Sequence, residues 1–197
     1  MRKCSVLQLA TIVAGLLASS SNARAADDLN WACPKAGTVF RTDIGKWAAF
    51  GPGDPASLAC HYIRDGVDKP RYSGIFAEGS RVLTAPESTG FWPLKSGTFV
   101  SFLVQNHNGI GAFNESIRVS GPEMVTVPAG TFETMRIEFW EAFASGGIRG
   151  AGYDVTETFY WSPLLHFPVK HTKKVAEGFA DRIAANWDLL SIETEKQ

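Results

Sequence analysis

The chain has 197 residues, of which 45% are hydrophobic, and it carries 19 basic and 20 acidic side chains. This length suits one domain with a sizeable core. The balanced charge argues against a nucleic-acid partner, because binding to a phosphate backbone depends on clustered lysine and arginine. The densest basic stretch, Lys170–Lys174, is interpreted as a solvated strand end.

Residues 1–25 have the three parts of a signal peptide. A basic start precedes an apolar run over 6–18, and Ala23-Arg24-Ala25 matches a small-x-small cleavage site. We therefore expect cleavage near Ala25, one β-rich domain over 26–197, and a periplasmic or secreted protein. Loss of the leader would leave 16 basic and 20 acidic residues. No later apolar stretch approaches the ~18 residues of a membrane-spanning helix, so we expect no transmembrane segment in the mature chain.

Two cysteines, Cys33 and Cys60, remain once Cys4 leaves with the leader. In an oxidising compartment an even count indicates a disulfide, and two cysteines allow one pairing. Closing this loop should stabilise the fold by about 3 to 4 kcal/mol on the chain-entropy model. The alternative, a reactive thiol, has no C-x-x-C pattern behind it.

Short strands separated by turn signals are predicted in the first half of the chain. Gly51–Pro55 is typical of a loop, and Asp65-Gly66 is a hairpin signal. A helical turn and a strand are equally compatible with Ser80–Glu87. The predicted strands are Thr38–Arg41, Lys46–Phe50, Ser57–Arg64 and Arg71–Ala77.

The second half is more regular. Strands Phe99–Gln105 and Ile110–Val119 are predicted around the hairpin dipeptide Asn108-Gly109. A turn is predicted at Gly121-Pro122, and a tight hairpin corner at Pro128-Ala129-Gly130, since proline presets φ and glycine accepts a positive φ.

Apolar residues alternate with polar ones in the segments that follow this corner, as in half-buried strands. The alternation covers 134–143, 153–161 and 179–189, and in the last segment a helix is the alternative. The sequence therefore predicts an all-β protein: a single antiparallel, strongly curved sheet, half-barrel or sandwich, with few short helical turns.

No pattern for a catalytic, phosphate-binding or metal site is present, so we expect no cofactor, no metal and no catalytic residue. His166 and His171 would point to opposite faces of a strand. Glu157 is an acid on an otherwise apolar strand face. It is either a carboxylate whose pKa is raised by burial, or the partner of an arginine such as Arg136.

Aromatic residues on the inward parity have two interpretations. They fill a solid core, or they line a cleft for an apolar ligand. The second interpretation names a set of candidate ligand-binding residues: Phe139, Glu157, Phe159, Trp161 and Trp187.

Part of the sequence resembles a pattern of exported bacterial β-rich envelope proteins, many of them domains of unknown function. The resemblance is carried by Val-Pro-Ala-Gly-Thr-Phe at Val127–Phe132, by Thr158–Pro163, by Val169-Lys170 and by the segment Phe91–Gly97 that precedes them. Their curved sheets are similar to the half-barrels of outer-membrane lipoprotein carriers. The resemblance implies a strongly bent antiparallel sheet and an envelope location. It assigns Pro128 and Gly130 to structure and supplies no catalytic residue.

Three functions are compatible with these observations. The first is a periplasmic, non-enzymatic binding or envelope-maintenance protein that holds a lipid, another apolar molecule or a partner's segment on a concave aromatic face. The alternative is a protein–protein interaction module that docks on an envelope protein through a sheet edge or the Phe91-Trp92 loop. The third is a hydrolase built from distant residues such as His107, Asp154 and Glu157.

Overall fold

The structure is a computed structural model that describes residues 29–78, 80–105, 111–145, 154–175 and 186–194. Within these ranges, the longest helices are two short 3₁₀ helices, Arg81–Thr84 and Pro86–Thr89. The strands are Thr38–Thr42 (β1), Gly45–Asp54 (β2), Ala59–Arg64 (β3), Val67–Asp68 (β4), Arg71–Tyr72 (β5), Phe76–Ala77 (β6), Phe99–Gln105 (β7), Ala112–Val127 (β8), Gly130–Ser145 (β9), Asp154–Ser162 (β10), Phe167–Val175 (β11) and Trp187–Thr194 (β12).

All the strands belong to one antiparallel sheet in the order β6-β5-β3-β2-β1-β12-β11-β10-β9-β8-β7, and β4 pairs with β3. The sheet is open, since β6 and β7 form its two edges. Arg71 on β5 and Glu157 on β10 nevertheless line one cavity, although five strands lie between them. The sheet is therefore strongly curved, and the predicted all-β class and single antiparallel sheet are confirmed.

The two halves of the sheet meet at β12. Within the described residues, this strand pairs with β1 from Leu189 to Thr194, whereas its pairing with β11 is limited to Trp187 and Asp188. β12 thus joins the first-half strands to the long strands β7 to β11 through a short paired segment.

Two first-half predictions are corrected. Arg71–Ala77 is not one strand but β5 and β6, because Ser73 and Gly74 have φ of 50° and 77° and reverse the chain. The loop predicted at Gly51–Pro55 lies largely within β2, where the register against β3 shifts between Phe50 and Asp54.

The predicted Asp65-Gly66 hairpin is confirmed. Arg64 pairs with Val67, and the two turn residues have φ of 54° and 76°. These are the positive angles that a type I′ turn requires.

One second-half prediction is corrected as well. Gly121-Pro122 does not end a strand, because β8 continues through it with a register shift between Ser120 and Glu123. Proline has no N–H to donate, and it is tolerated there because residues in a bulge do not pair in the hydrogen-bond ladder.

The hairpin corner after β8 is confirmed. Val127 pairs with Gly130, whose φ is +137°, and Pro128-Ala129 form the turn. The strand at Trp187–Leu189 is also as expected. Asn108-Gly109, Tyr153, Phe179 and Ile183 lie outside the described residues.

Buried side chains form two hydrophobic clusters. The first lies under β7 to β10 and the 3₁₀ helices, with Phe91, Ile117, Ile137 and Trp161 at its centre. The second lies between β1, β2, β3, β11 and β12, and takes in the hairpin corner at the end of β8.

The disulfide Cys33–Cys60 is confirmed, and it ties the segment before β1 to β3 at the border of the second cluster. In the part of the chain that the structure describes, no helix has both the length and the apolar character needed to cross a membrane.

Candidate functional site

A cavity of about 510 Å3 lies where the two hydrophobic clusters meet. The first cluster contributes Phe76, Phe139 and Phe159 to its lining. The second contributes Trp47, Phe167 and the half-buried Trp187. The interior of the curved sheet is therefore neither wholly filled nor wholly open.

The aromatic lining is held by ring contacts. Phe76 meets Phe139 edge to face at 5.4 Å between centroids. On the other side, Trp187 lies 6.1 Å from Phe167 and 5.9 Å from the imidazole of His171. Such pairs contribute about 0.5 to 1.5 kcal/mol each beyond their buried area, so they hold the aromatic side chains of the lining in position.

Trp161 lies outside the cavity. It is 1% exposed and packs edge to face against Trp92, with their centroids 5.6 Å apart. Gly74 covers its other side so closely that a Cβ atom added there would lie 2.4 Å from the indole ring. Of the five candidate ligand-binding residues, the structure brings Phe139, Glu157, Phe159 and Trp187 to the cavity and seals Trp161 in the core.

Glu157 lies on β10 and faces the cavity between Val155 and Phe159. Its Oε2 accepts a hydrogen bond from Nε2 of His171 at 3.0 Å, and its Oε1 accepts one from Nζ of Lys173 at 2.7 Å. Both partners come from β11, where Lys173 is directly opposite Glu157 in the register.

Of the two interpretations of Glu157 from sequence, the one with a raised pKa does not hold, and a basic partner is present but is not Arg136. Burial by itself raises that pKa, but the hydrogen bonds from His171 and Lys173 and the charges of these groups outweigh it and hold the pKa below its ordinary value. Glu157 is therefore an ionised counter-charge. Arg136, the partner considered from sequence, instead donates to Oγ of Ser120 at 3.0 Å and lies 3.7 Å from Glu123.

The basic stretch Lys170–Lys174 is also not a solvated strand end. It runs along the middle of β11, where His171 is 3% exposed and Lys173 is half-buried against Glu157. Alternate residues of a strand point to opposite faces, so only this parity of the stretch reaches the cavity.

Two arginines form the most polar part of the cavity lining, and both lie over the ring of Trp47. The guanidinium carbon of Arg64 is 4.6 Å from the ring centroid and that of Arg71 is 4.7 Å. Trp47 is itself held by the edge of Tyr62, at 6.1 Å between centroids. The indole face attracts both cations, which explains their placement on an otherwise apolar wall.

The two arginines differ in their partners. Nη2 of Arg64 donates to the carbonyl oxygen of Ile44 at 2.7 Å. Among the described residues, the guanidinium of Arg71 has the Trp47 ring as its contact and no hydrogen-bond acceptor. Burial lowers the pKa of Arg71, and the neighbouring charge of Arg64 acts in the same direction.

Sequence reasoning missed these arginines, but one of them carried a signal. Arg64 shares its strand parity with the buried Cys60 and Tyr62, just as Glu157 shares its own with apolar neighbours. Arg71 could not have been found in this way, because β5 has only two residues and so shows no periodicity.

The residues assigned to structure lie away from the cavity lining. Pro128 and Gly130 bound the hairpin corner, and the backbone N–H of Ala129 donates to the carbonyl oxygen of Leu189 on β12 at 3.1 Å. The corner therefore also connects the β8–β9 hairpin to β12.

Of the residues proposed for a hydrolase, the two that the structure describes, Asp154 and Glu157, do not line the same cavity. Asp154 accepts a hydrogen bond from the indole N–H of Trp140 at 2.6 Å and is not in the cavity lining that contains Glu157. His107 lies outside the described residues. Over the described ranges, no group of three or more His, Cys, Asp or Glu side chains is placed to hold a metal ion.

No known protein family, curated protein sequence or solved structure matches the chain. What the site can do chemically is therefore inferred from its geometry. A concave space with aromatic walls and several polar side chains is typical of small-molecule sites in general.

Proposed function

We propose that this chain is an exported, non-enzymatic binding protein that holds a mostly apolar small molecule inside its curved sheet. The observation that carries the proposal is the cavity of about 510 Å3 between the two hydrophobic clusters. Small-molecule sites have volumes of about 300 to 1,000 Å3 and are lined mainly by apolar and aromatic side chains with a few polar groups.

The proposed location rests on the leader over 1–25 and is supported by the disulfide. A Cys33–Cys60 bridge is compatible with an oxidising compartment, where such bridges form and persist. An envelope role, as the resemblance of the Val127–Phe132 stretch implies, is part of the same proposal.

A pair of tryptophan substitutions at the cavity's edge tests this function. Ala77 lines the cavity and is exposed, whereas the next residue, Glu78, is exposed and does not line it. We expect the neutral fluorescent probe N-phenyl-1-naphthylamine to bind the wild-type protein and Glu78→Trp equally. Ala77→Trp should bind it at least about tenfold more weakly, because the indole occupies the entrance. Fluorescence titration measures all three.

Native mass spectrometry of protein purified from its own host provides the second readout. A small molecule retained by the wild-type protein and lost from Ala77→Trp supports the proposal. Absence of any adduct, together with equal probe binding by the two variants, would contradict it.

A second candidate function, docking on an envelope protein, is favoured by one surface. The edge strand β7 exposes Phe99 and Leu103, at 58% and 56%. The Phe91-Trp92 loop does not provide such a surface, because Phe91 is completely buried and the Trp92 indole donates to the carbonyl oxygen of Ser73. A discrete cross-linked partner on β7, with no retained small molecule, would favour this function over the first.

A further inference from the structure

The charged groups that line the cavity do not balance. Among the described residues of the lining, and apart from His171, there are three cations and two carboxylates, which leaves one positive charge over: Arg64, Arg71 and Lys173 against Glu141 and Glu157. A cavity with apolar walls and one surplus cation favours a ligand that carries one negative charge.

The surplus charge can be assigned to Arg71. Lys173 is held by Glu157 at 2.7 Å, and both oxygens of Glu157 are already accepting hydrogen bonds. Arg64 donates to a backbone carbonyl, and the carboxylate nearest to it, the solvent-exposed Asp65 at 3.7 Å, lies outside the cavity lining. In the described part of the chain, Arg71 has neither kind of partner, and its five N–H donors remain available.

Arg71 is also held in position for recognition. Its position over the Trp47 ring restrains the guanidinium, so less conformational freedom is lost when a second group binds to it. Arg64, over the same ring, is a second positive charge that acts on Arg71, and an anion bound to Arg71 reduces this repulsion.

We propose that the ligand is an amphipathic carboxylic acid whose carboxylate is bound by Arg71 on the Trp47 ring, while its apolar body lies between Phe139, Phe159 and Trp187. A planar guanidinium matches a carboxylate with two parallel hydrogen bonds. The single surplus charge fits a monoanion, whereas an alkyl phosphate carries up to two negative charges. This inference rests on the proposed function, since it names the class of molecule that the cavity takes.

The test compares a polyene fatty acid, cis-parinaric acid, with its methyl ester. The two probes differ in charge and share the same apolar chain. We expect the acid to bind the wild-type protein about tenfold or more tightly than the ester. Arg71→Met should remove this difference and leave the affinity for the ester unchanged, because the substitution deletes the charge and keeps an apolar side chain of similar length.

Two further variants make the result specific. Arg118 is exposed on β8 and lies far from the cavity lining, so Arg118→Met should keep the preference for the acid. Arg71→Lys keeps the charge without the planar fork and should show an intermediate preference. If Arg71→Met fails to fold by circular dichroism, the acid-to-ester ratio of the wild-type protein and of Arg71→Lys decides the question.

The outcomes separate this inference from the proposed function. Equal affinity of the wild-type protein for the acid and the ester would overturn the carboxylate assignment and leave a neutral apolar ligand. Stronger competition by dodecyl phosphate than by dodecanoate would overturn it in favour of a phosphate. Binding of neither probe to the wild-type protein, with no effect of Ala77→Trp, would mean that the cavity is not a binding site at all.

Discussion

The inner face of β10 has two ends that look alike in sequence and differ in the fold. Val155, Glu157, Phe159 and Trp161 share one parity of this strand. At one end, Trp161 is 1% exposed, enclosed by Gly74 and Trp92. At the other end, Glu157 faces a cavity of about 510 Å3.

The difference between the two ends comes from what lies across the curved sheet. The turn between β5 and β6 brings Gly74 down onto Trp161 and leaves no space. Opposite Glu157 stand Trp47 and the two arginines, whose charged ends cannot be packed into a dry core without partners. Whether an aromatic strand face is packed core or lines a cavity therefore depends on the side chains that lie across the curved sheet from it.

The largest expected effect is a loss of stability at the buried end of the β10 face. Trp161→Ala should lower the free energy of unfolding by about 3 to 5 kcal/mol, because a large, fully buried ring leaves a cavity in the first cluster. Trp187→Ala removes the same side chain from a half-buried position on the cavity wall and should cost about half as much or less. Urea denaturation followed by circular dichroism measures both.

The same pair of variants separates core from site. Binding of N-phenyl-1-naphthylamine should weaken in Trp187→Ala and remain unchanged in folded Trp161→Ala. Similar losses of stability in the two variants would contradict the distinction between a sealed end and an open end.

A second prediction concerns the hairpin corner, which belongs to neither end of β10. Gly130→Val should destabilise the fold by about 1 to 3 kcal/mol, since φ is +137° there and L side chains rarely adopt it. The nearest atom to an added Cβ is 3.6 Å away, in Phe132, so the cost comes from the backbone conformation and not from a clash.

Thermal denaturation of Gly130→Val beside Thr131→Val measures this cost. Thr131 is exposed on β9 and shares one exposed hydrogen bond with Thr126 at 2.9 Å, so its substitution should change stability by less than about 1 kcal/mol. Probe affinity should be unchanged in both variants. A stable Gly130→Val protein that had lost probe binding would show that the corner belongs to the site.

The smallest expected effect concerns Glu157 and depends on pH. Glu157→Gln should lower stability at pH 7 by about 1 to 2 kcal/mol, because the amide has one acceptor oxygen where the carboxylate has two, and no charge, so Lys173 and His171 lose one hydrogen bond and the ion pair in a half-buried position. Arg71, on which the charge of Glu157 also acts, loses a neighbouring negative charge as well.

The sign of the pH dependence follows from the lowered pKa of Glu157. Its contribution to stability is complete above its ordinary pKa and is lost as the pH falls through the lowered folded-state value. The gap between wild type and Glu157→Gln should therefore narrow in acid, from about pH 4.5 downward. Glu133→Gln, at an exposed position of β9, provides the control and should leave the pH profile unchanged. A gap that widens in acid would refute this account of Glu157.

Local signals in the sequence predicted a large part of the fold. The hairpins at Asp65-Gly66 and Pro128-Ala129 follow from turn chemistry, which acts over a few residues. The strand faces around Met135 and Phe159 follow from the two-residue period. The predictions failed at Gly51–Pro55 and Gly121-Pro122, where a paired neighbouring strand carried the chain through as a bulge.

The site was predictable only in part. Phe139, Glu157, Phe159 and Trp187 were found because each belongs to a strand with clear alternation. Arg71 was not, since its importance depends on Trp47 and on a cavity that strands distant in the sequence enclose.

The sequence by itself determined the all-β class, the main turns, the inward faces and the pairing of Cys33 with Cys60, because these depend on backbone preference, on periodicity or on a single possible partner. Only the tertiary structure decided that Trp161 is core and Glu157 lines a cavity, that Glu157 is an ionised partner of His171 and Lys173, and that Arg71 lines the same cavity. These properties depend on which side chains meet across the curved sheet, and that curvature is set by the packing of the whole chain.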